Sequence, residues 1–403
     1  MKIWLINPYG TLPGEGWRDW RFTMLADALA KRGHDVTWWT AGYDHYSRRT
    51  RTKTWETRQI DGYRVKLVPT PEYHRNISIG RFRFEILFAT RMLRAARAEA
   101  PPDVIVGEDP PQTAGLASIV LGRRVKRPVI LDIIDLWPEV YAGALPSKLR
   151  WLAPVVFAPF YWLRRYNFSR ATGIVGACES YLDVALRAAP KADRANTETV
   201  YFGLDSSELA HAEEAPLPEK KLGQFWAVYA GSLGANYDVK TLIAAAKLVA
   251  PHDVQVVVAG DGPMRDVVRD AAGGNLHFLG RLPTTQLPSL YARGDVGLVP
   301  YAGWSTVAMP VKSFDYLAAG LPMISSLGRE LRALMEREGF GMSYRGGDAQ
   351  SLADAILTLA RDRTRRDAMA ANARRLSQLF ERSVQYARFV DLIERIGARQ
   401  GSR

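Results

Sequence analysis

Cysteine is almost missing from this 403-residue chain. The single Cys178 has no partner for an internal disulfide and cannot build a thiolate metal site, which suits a reducing compartment. Histidine is scarce too. The six are scattered, with no H-E-x-x-H spacing and no close His/Cys pair, so zinc chemistry is not indicated. No apolar run reaches the roughly 20 residues that a membrane-crossing helix needs. The opening MKIWLIN carries one charge and no small-residue cleavage pattern, so it reads as a buried strand and not as a secretory leader. No solenoid-type repeat is visible.

Acidic side chains are outnumbered 54 to 42, which leaves a formal charge of +12. The surplus sits in residues 1–200, with 30 basic and 20 acidic side chains. That asymmetry suggests an anionic partner: nucleic acid, a phospholipid surface or a phosphorylated substrate. An arginine-favouring genome is the competing account. No nucleic-acid module is recognisable, so nucleic acid is not expected as a partner. With 47% hydrophobic and 24% charged residues the chain is an ordinary globular sequence, long enough for two or three compact units.

The most apolar stretch is LAPVVFAPFYWL at 152–163, interrupted by Pro154 and Pro159. Lys148, Arg150 and Trp151 precede it, and Trp162, Arg164 and Arg165 lie at its end. Aromatic rings and cations around a short apolar segment suit a bilayer interface. The alternative is a buried helix between domains, capped by its arginines. A second segment, 81–97, reads as a helix whose phenylalanines suit a core and whose arginines suit an anionic surface.

Strand-like and helix-like segments alternate along the chain. Strands are expected at 3–7, 36–40, 63–68, 103–107, 129–132 and 173–175, with helices at 20–32 and 84–98. That is the pattern of a doubly wound parallel sheet. Residues 206–223 are polar, carry Pro216 and Pro218, and read as a linker. Strands resume at 225–230, 254–259, 276–279, 296–300 and 323–325. The expected domains are 1–205 and 206–380, with a C-terminal helix in 381–403 that returns to pack on the first domain.

Several strand ends carry chemistry. The loop after the first strand holds Gly14, Glu15 and Gly16, which permit close ligand approach but miss the dinucleotide pattern because Asp19 stands where a third glycine belongs. Glu108 and Asp109 end another strand, and Asp135 follows the strand at 129–132; carboxylates there lie where open α/β sheets bind ligands, though each could equally cap a helix. In the second domain Gly231, Ser232 and Gly234 follow a strand, as does the G-D-G-P turn of Gly260 and Gly262, with Arg265 beyond. Phe278 to Leu282 form a third such end. Pro310 opens a helix with Lys312 in its first turn and Asp315 one turn on. A positive helix end with an ammonium group suits a pyrophosphate, and a nearby carboxylate suits vicinal hydroxyls.

With these landmarks, and with G-H-D-V at 33–36, Y-F-G-L-D at 201–205 and P-V-K-S-F-D-Y-L-A-A-G-L-P at 310–322, nearly the whole chain resembles a family 4 retaining glycosyltransferase of the GT-B fold. The D-L-W-P-E run at 135–139 resembles the subgroup that builds bacterial O-antigen, capsule and exopolysaccharide repeat units. The resemblance implies two Rossmann-like doubly wound domains facing across a cleft. It implies a hexosyl or N-acetylhexosaminyl transfer from a nucleotide-diphosphate sugar, UDP-linked, to a lipid-pyrophosphate-linked saccharide, without a metal or other cofactor, at the cytoplasmic face of the inner membrane. The donor would be held by Gly231, Ser232, Gly260, Gly262, Arg265, Leu279, Arg281, Leu282, Lys312 and Asp315. Lys312 and Asp135 would be catalytic. The acceptor would meet Gly14, Glu15, Gly16, Glu108 and Asp109. Lys148, Arg150, Trp151, Trp162, Arg164 and Arg165 would face an anionic membrane. The chain departs from the usual pair of glutamates with seven residues between them, and has Val307 and Asp315 in their places. A non-catalytic nucleotide-sugar-binding protein and a GT-B nucleotide-sugar 2-epimerase are the alternatives.

Overall fold

The computed structural model describes residues 1–16, 18–145 and 147–401. The chain divides into two units: Met1–Phe202 with the chain from Ser383 onward, and Gly203–Arg382.

The N-terminal unit is built on an eight-stranded sheet. Its strands are β1 (Lys2–Ile6), β2 (Asp35–Ala41), β3 (Glu56–Ile60), β4 (Tyr63–Val68), β5 (Val104–Glu108), β6 (Val129–Ile133), β7 (Gly173–Gly176) and β8 (Thr197–Thr199), in the order β3-β4-β2-β1-β5-β6-β7-β8. Every neighbouring pair is parallel except β3 and β4. The central strands are buried on both faces, which is why they read as unbroken apolar runs and not as alternation. β3 does alternate, as ETRQI, and joins β4 through Asp61-Gly62, a hairpin dipeptide. The sequence reading passed over β3 and β8. One face of the sheet is covered by the helix Arg21–Lys31, through Phe22, Leu25 and Leu29, together with the helix Arg382–Gly401, through Phe389, Val390, Ile393 and Ile396.

A buried ion pair ties these layers together. Arg21 Nε and Nη2 donate to both carboxylate oxygens of Asp132 on β6, at 2.5 and 2.8 Å. Nη1 donates to the Val200 carbonyl at 2.5 Å. The guanidinium lies 5.6 and 5.5 Å from the ring centres of Phe202 and Phe389.

The C-terminal unit has six strands: β9 (Phe225–Ala230), β10 (Val254–Ala259), β11 (Leu276–Phe278), β12 (Val296–Val299), β13 (Met323–Ser325) and β14 (Gly341–Ser343). All run parallel, in the order β11-β10-β9-β12-β13-β14. The strand order therefore reverses between β9 and β12, and ligands of such sheets bind outside the strand ends at that switch point. β14 was not anticipated. Nor is 206–223 a free tether: Glu213 N donates to the Thr285 carbonyl at 2.9 Å, and Lys220 Nζ reaches Asp295 at 2.7 Å.

Replacing Arg21 by Met should leave the Asp132 carboxylate buried and uncompensated. The expected loss is about 3–5 kcal/mol of stability, read by chemical denaturation. A loss under about 1 kcal/mol would show that the pair holds little of the unit together.

Candidate active site

Three turns meet at the switch point of the C-terminal sheet. β9 leads into Gly231, at φ 150°, whose amide donates to the Ala259 carbonyl at 3.0 Å. A Cβ on Gly260 would lie 2.0 Å from the Gly231 carbonyl oxygen, and one on Gly262 would lie 2.6 Å from that of Leu233. Backbone therefore packs directly on backbone, and only glycine permits it. Gly260 N donates in turn to Gly280 at 2.7 Å, which draws in the turn that carries Leu279, Arg281 and Leu282.

Against these turns lies Lys312, in the first turn of the helix Val311–Ala318. A Cβ on Gly231 would approach its Nζ to 2.7 Å. The side chain is only 8% exposed, and Nζ has no hydrogen-bond partner. Instead the ammonium lies 3.9, 4.7 and 5.6 Å from the ring centres of Tyr229, Tyr237 and Tyr301. Ring quadrupoles stabilise a cation but do not replace its lost hydration. Burial accordingly pushes the Lys312 pKa down to about 7, against the opposing charge of Asp315. The hydroxyl of Ser313, the next residue, is buried and unpartnered as well.

These contacts sort the expected donor residues. Gly231, Gly260, Gly262 and Lys312 come together. The Gly231 amide does not face a diphosphate, as was expected; the neighbouring carbonyl of Ala259 takes it. Asp315 is half-buried one turn beyond Lys312. Arg265 and Arg281 are exposed, and Arg265 stands 4.0 Å from Asp261. Sequence reading missed the three tyrosines. A signal was present: Tyr-Ala-Gly occurs at 229–231 and again at 301–303, at the ends of the two strands that flank the reversal.

The N-terminal unit reverses its order between β1 and β5. There Asn7 Nδ2 donates to Glu108 at 2.5 Å. Glu108 is 1% exposed, and burial with Asp132 and Asp109 nearby raises its pKa well above the ordinary range. Asp109 is equally buried. It accepts from Asn167 Nδ2 at 2.7 Å, and burial pushes it up to about 7. Glu15 is gripped by Arg51, with Nε at 2.6 Å and Nη2 at 2.5 Å, and accepts from Leu12 N. These three carboxylates, expected to meet an acceptor, are engaged in holding the fold, because each has a partner within the unit. Gly14 and Gly16 are exposed with open space around them, while Trp17 lies outside the described residues. Asp135 is half-buried, accepting from Leu136 N at 2.8 Å and Trp137 Nε1 at 3.2 Å, and burial raises its pKa. A further group went unread in the sequence: Arg81 donates to Tyr9 at 2.9 Å and to Glu85 at 3.1 Å, and stacks 4.3 Å from the Trp137 ring.

Of the residues expected to face a membrane, Trp151 and Trp162 are 74% and 65% exposed, and Lys148, Arg150 and Arg165 are exposed too. Arg164 is a correction. It is buried, and its two Nη atoms meet the Glu139 carboxylate at 2.9 and 2.8 Å. Among the described residues, no helix is long and apolar enough to cross a membrane, and no group of three or more His, Cys, Asp or Glu is placed to hold a metal ion.

Residues 19–203 match the family described as "Glycosyl transferase 4-like domain", and residues 224–362 match "Glycosyl transferases group 1". The chain belongs to the glycosyltransferases of the GT-B fold that carry these two domains. Sucrose-phosphate synthase from Thermosynechococcus elongatus has the same fold at a TM-score of 0.75 and 17% identity, over 98% of this chain and 99% of that one. Anabaena HepE in complex with UDP gives 0.67 at 15% identity, over 98% and 100%. A curated relative from Mycobacterium tuberculosis, the GDP-mannose-dependent alpha-(1-6)-phosphatidylinositol monomannoside mannosyltransferase, is 27% identical over 128 residues, which cover 30% of this chain and 33% of that protein. The chain thus spans about a third of the length of that relative.

The Lys312 geometry fixes the sign of a pH effect. Its folded pKa of about 7 lies below the ordinary 10.5, so the unfolded chain binds the extra proton between those values and stability rises with pH across that window. Lys312→Met should therefore be the more stable protein near pH 6, with a gap that closes as pH climbs from about 7 to 10, as read by thermal melts. A gap that ignores pH would mean the ammonium is not desolvated.

Proposed function

We propose that the protein transfers a hexosyl or N-acetylhexosaminyl group, with retention of configuration, from a UDP-linked sugar to a lipid-pyrophosphate-linked saccharide. The reaction belongs to bacterial surface-polysaccharide synthesis at the cytoplasmic face of the inner membrane. One observation carries the reading: a buried ammonium without a hydrogen-bond partner, held at the switch point of a doubly wound sheet, where an incoming anion would supply the missing acceptor. The family matches supply the reaction class, and HepE, in complex with UDP, supports the choice of nucleotide. The mycobacterial relative, named for a GDP-mannose donor and a phosphatidylinositol-based acceptor, supports the lipid acceptor.

In this reading the diphosphate lies against Lys312, with Ser232 and Arg265 at its edge, and Asp315 accepts from the ribose hydroxyls. Leu279, Arg281 and Leu282 border the base. The bond from the sugar C1 to the phosphate oxygen breaks while the acceptor oxygen bonds to C1 on the same face. The acceptor proton passes to the departing phosphate. Lys312 stabilises the charge that develops on that phosphate, a contact stronger in the transition state than before it. Asp135 is assigned to the acceptor end. Trp151 and Trp162, with Lys148, Arg150 and Arg165 nearby, present the apolar and cationic surface that suits an anionic bilayer.

The test is transfer of radiolabel from UDP-sugars into a bacterial lipid extract. Lys312→Ala should lower kcat/KM by about 10²-fold or more, as expected for losing one transition-state charge contact. Near-normal turnover would remove Lys312 from the chemistry, and donor conversion without any acceptor would instead identify an epimerase. Chelation by EDTA should leave transfer unchanged. A loss reversed only by magnesium would overturn the metal-free mechanism.

A further inference from the structure

Three helices of the N-terminal unit, Glu139–Ala144, Ala158–Phe168 and Glu179–Ala188, supply the walls of a surface cavity of about 330 Å3. Its lining includes Glu139, Tyr161, Arg164, Arg165 and Arg187. Three guanidinium groups thus face one carboxylate. Arg164 and Glu139 neutralise each other in a two-pronged ion pair at 2.8 and 2.9 Å, and the Arg164 guanidinium lies 5.2 Å from the Tyr161 ring centre. Arg165 and Arg187, from different helices, are both exposed and make no ion pair among the described residues. Asp183, one turn before Arg187, forms none with it either. The Tyr161 hydroxyl stays protonated, because burial and the Glu139 charge raise its pKa, so it is available as a donor. The cavity volume falls in the range of small-ligand sites, roughly 300–1,000 Å3.

We propose that this cavity binds a phosphomonoester or diphosphate group, gripped by Arg165 and Arg187 with the Tyr161 hydroxyl donating to it. Two like charges on the walls of one cavity repel, and a dianion between them removes the repulsion. Guanidinium forks match phosphoryl oxygens two at a time, which lysines do not. Exposed apolar side chains lie close in the chain: Trp162 follows Tyr161 on the same helix, and Val155 and Val156, just before that helix, are 73% and 55% exposed. A phosphoryl group at the end of a lipid would reach the arginines while its chains met those side chains. The site is separate from the donor turns, which belong to the other unit, so its failure would leave the transfer reading standing.

The experiment is cosedimentation of the full chain with phosphatidylcholine vesicles carrying either phosphatidic acid, a phosphomonoester, or phosphatidylglycerol, a phosphodiester, at matched surface charge. Phosphatidic acid should be preferred by about tenfold, in line with several charge-assisted hydrogen bonds. The double variant Arg165→Ala/Arg187→Ala should abolish the preference: binding to phosphatidylglycerol weakens as well, because Arg165 also faces the bilayer, but binding to phosphatidic acid falls about tenfold further. Arg165→Lys/Arg187→Lys keeps both charges without the forks and should also lose the preference. Inorganic pyrophosphate, titrated by calorimetry in a Lys312→Ala background, separates the two sources. Binding that the arginine variant removes identifies a site open to free diphosphate, whereas preference on vesicles without pyrophosphate binding identifies a lipid-borne group. Absence of both, or equal loss on both vesicle types in the alanine variant, would overturn the proposal.

Discussion

The contact of Gly260 with the Gly231 carbonyl is the constraint on which the C-terminal site depends. A methyl group at Gly260 would sit 2.0 Å from that oxygen, so any side chain there would force the ends of β9 and β10 apart. Because the backbones touch, the Gly231 turn is held against the tip of Lys312, and the tyrosines at the ends of β9 and β12 close around the same atom. Tyr237 joins them because its segment pairs with Tyr301, bringing the two rings to 4.7 Å. The result is a cation that has exchanged water for rings and still lacks a hydrogen-bond acceptor. Such a group is costly to bury without a hydrogen-bond partner and strongly attractive to an anion that can enter. The same arrangement therefore lowers stability and prepares the site for charge.

The N-terminal unit repeats the strand reversal but treats charge in the opposite way. Its switch point is occupied by Asn7 and Glu108, paired to each other. Its interior ions are matched: Arg21 with Asp132, Arg81 with Glu85, Arg51 with Glu15. Breaking one of these leaves a buried charge, so they hold the unit in one arrangement and are poorly suited to exchange partners with a ligand. The cations left for a ligand are on the surface, among them Lys148, Arg165 and Arg187. The basic surplus of residues 1–200 thus divides into a paired interior and an exterior where some arginines, such as Arg32 and Arg64, are paired and others are not, and the unpaired surface cations are the ones that can meet an anionic partner.

The parallel strands were legible because burial on both faces leaves a compositional trace, as in IWLI of β1 and VVVA of β10. β3, β8 and β14 were not. β3 is an edge strand with alternating exposed residues, and β8 and β14 have three residues each with none fully buried, so they leave no apolar trace, unlike the equally short β11 and β13. In the site, the glycine turns and Lys312 were visible from their spacing after strands. The burial of Asp109 and Arg164 was not, because their partners, Asn167 and Glu139, are 58 and 25 residues away in the chain.

What the sequence by itself determined is the α/β alternation, the two-unit plan and the set of turns that carry glycine and lysine, all of which follow from local periodicity and from residues only certain backbones accept. Tertiary structure alone decided which charges are spent and which remain. Lys312 and Arg164 are both cations on apolar helices, yet one meets three rings and no carboxylate while the other meets Glu139. Electrostatics depends on distance through space and on the exclusion of water, and neither quantity is written in the order of the residues.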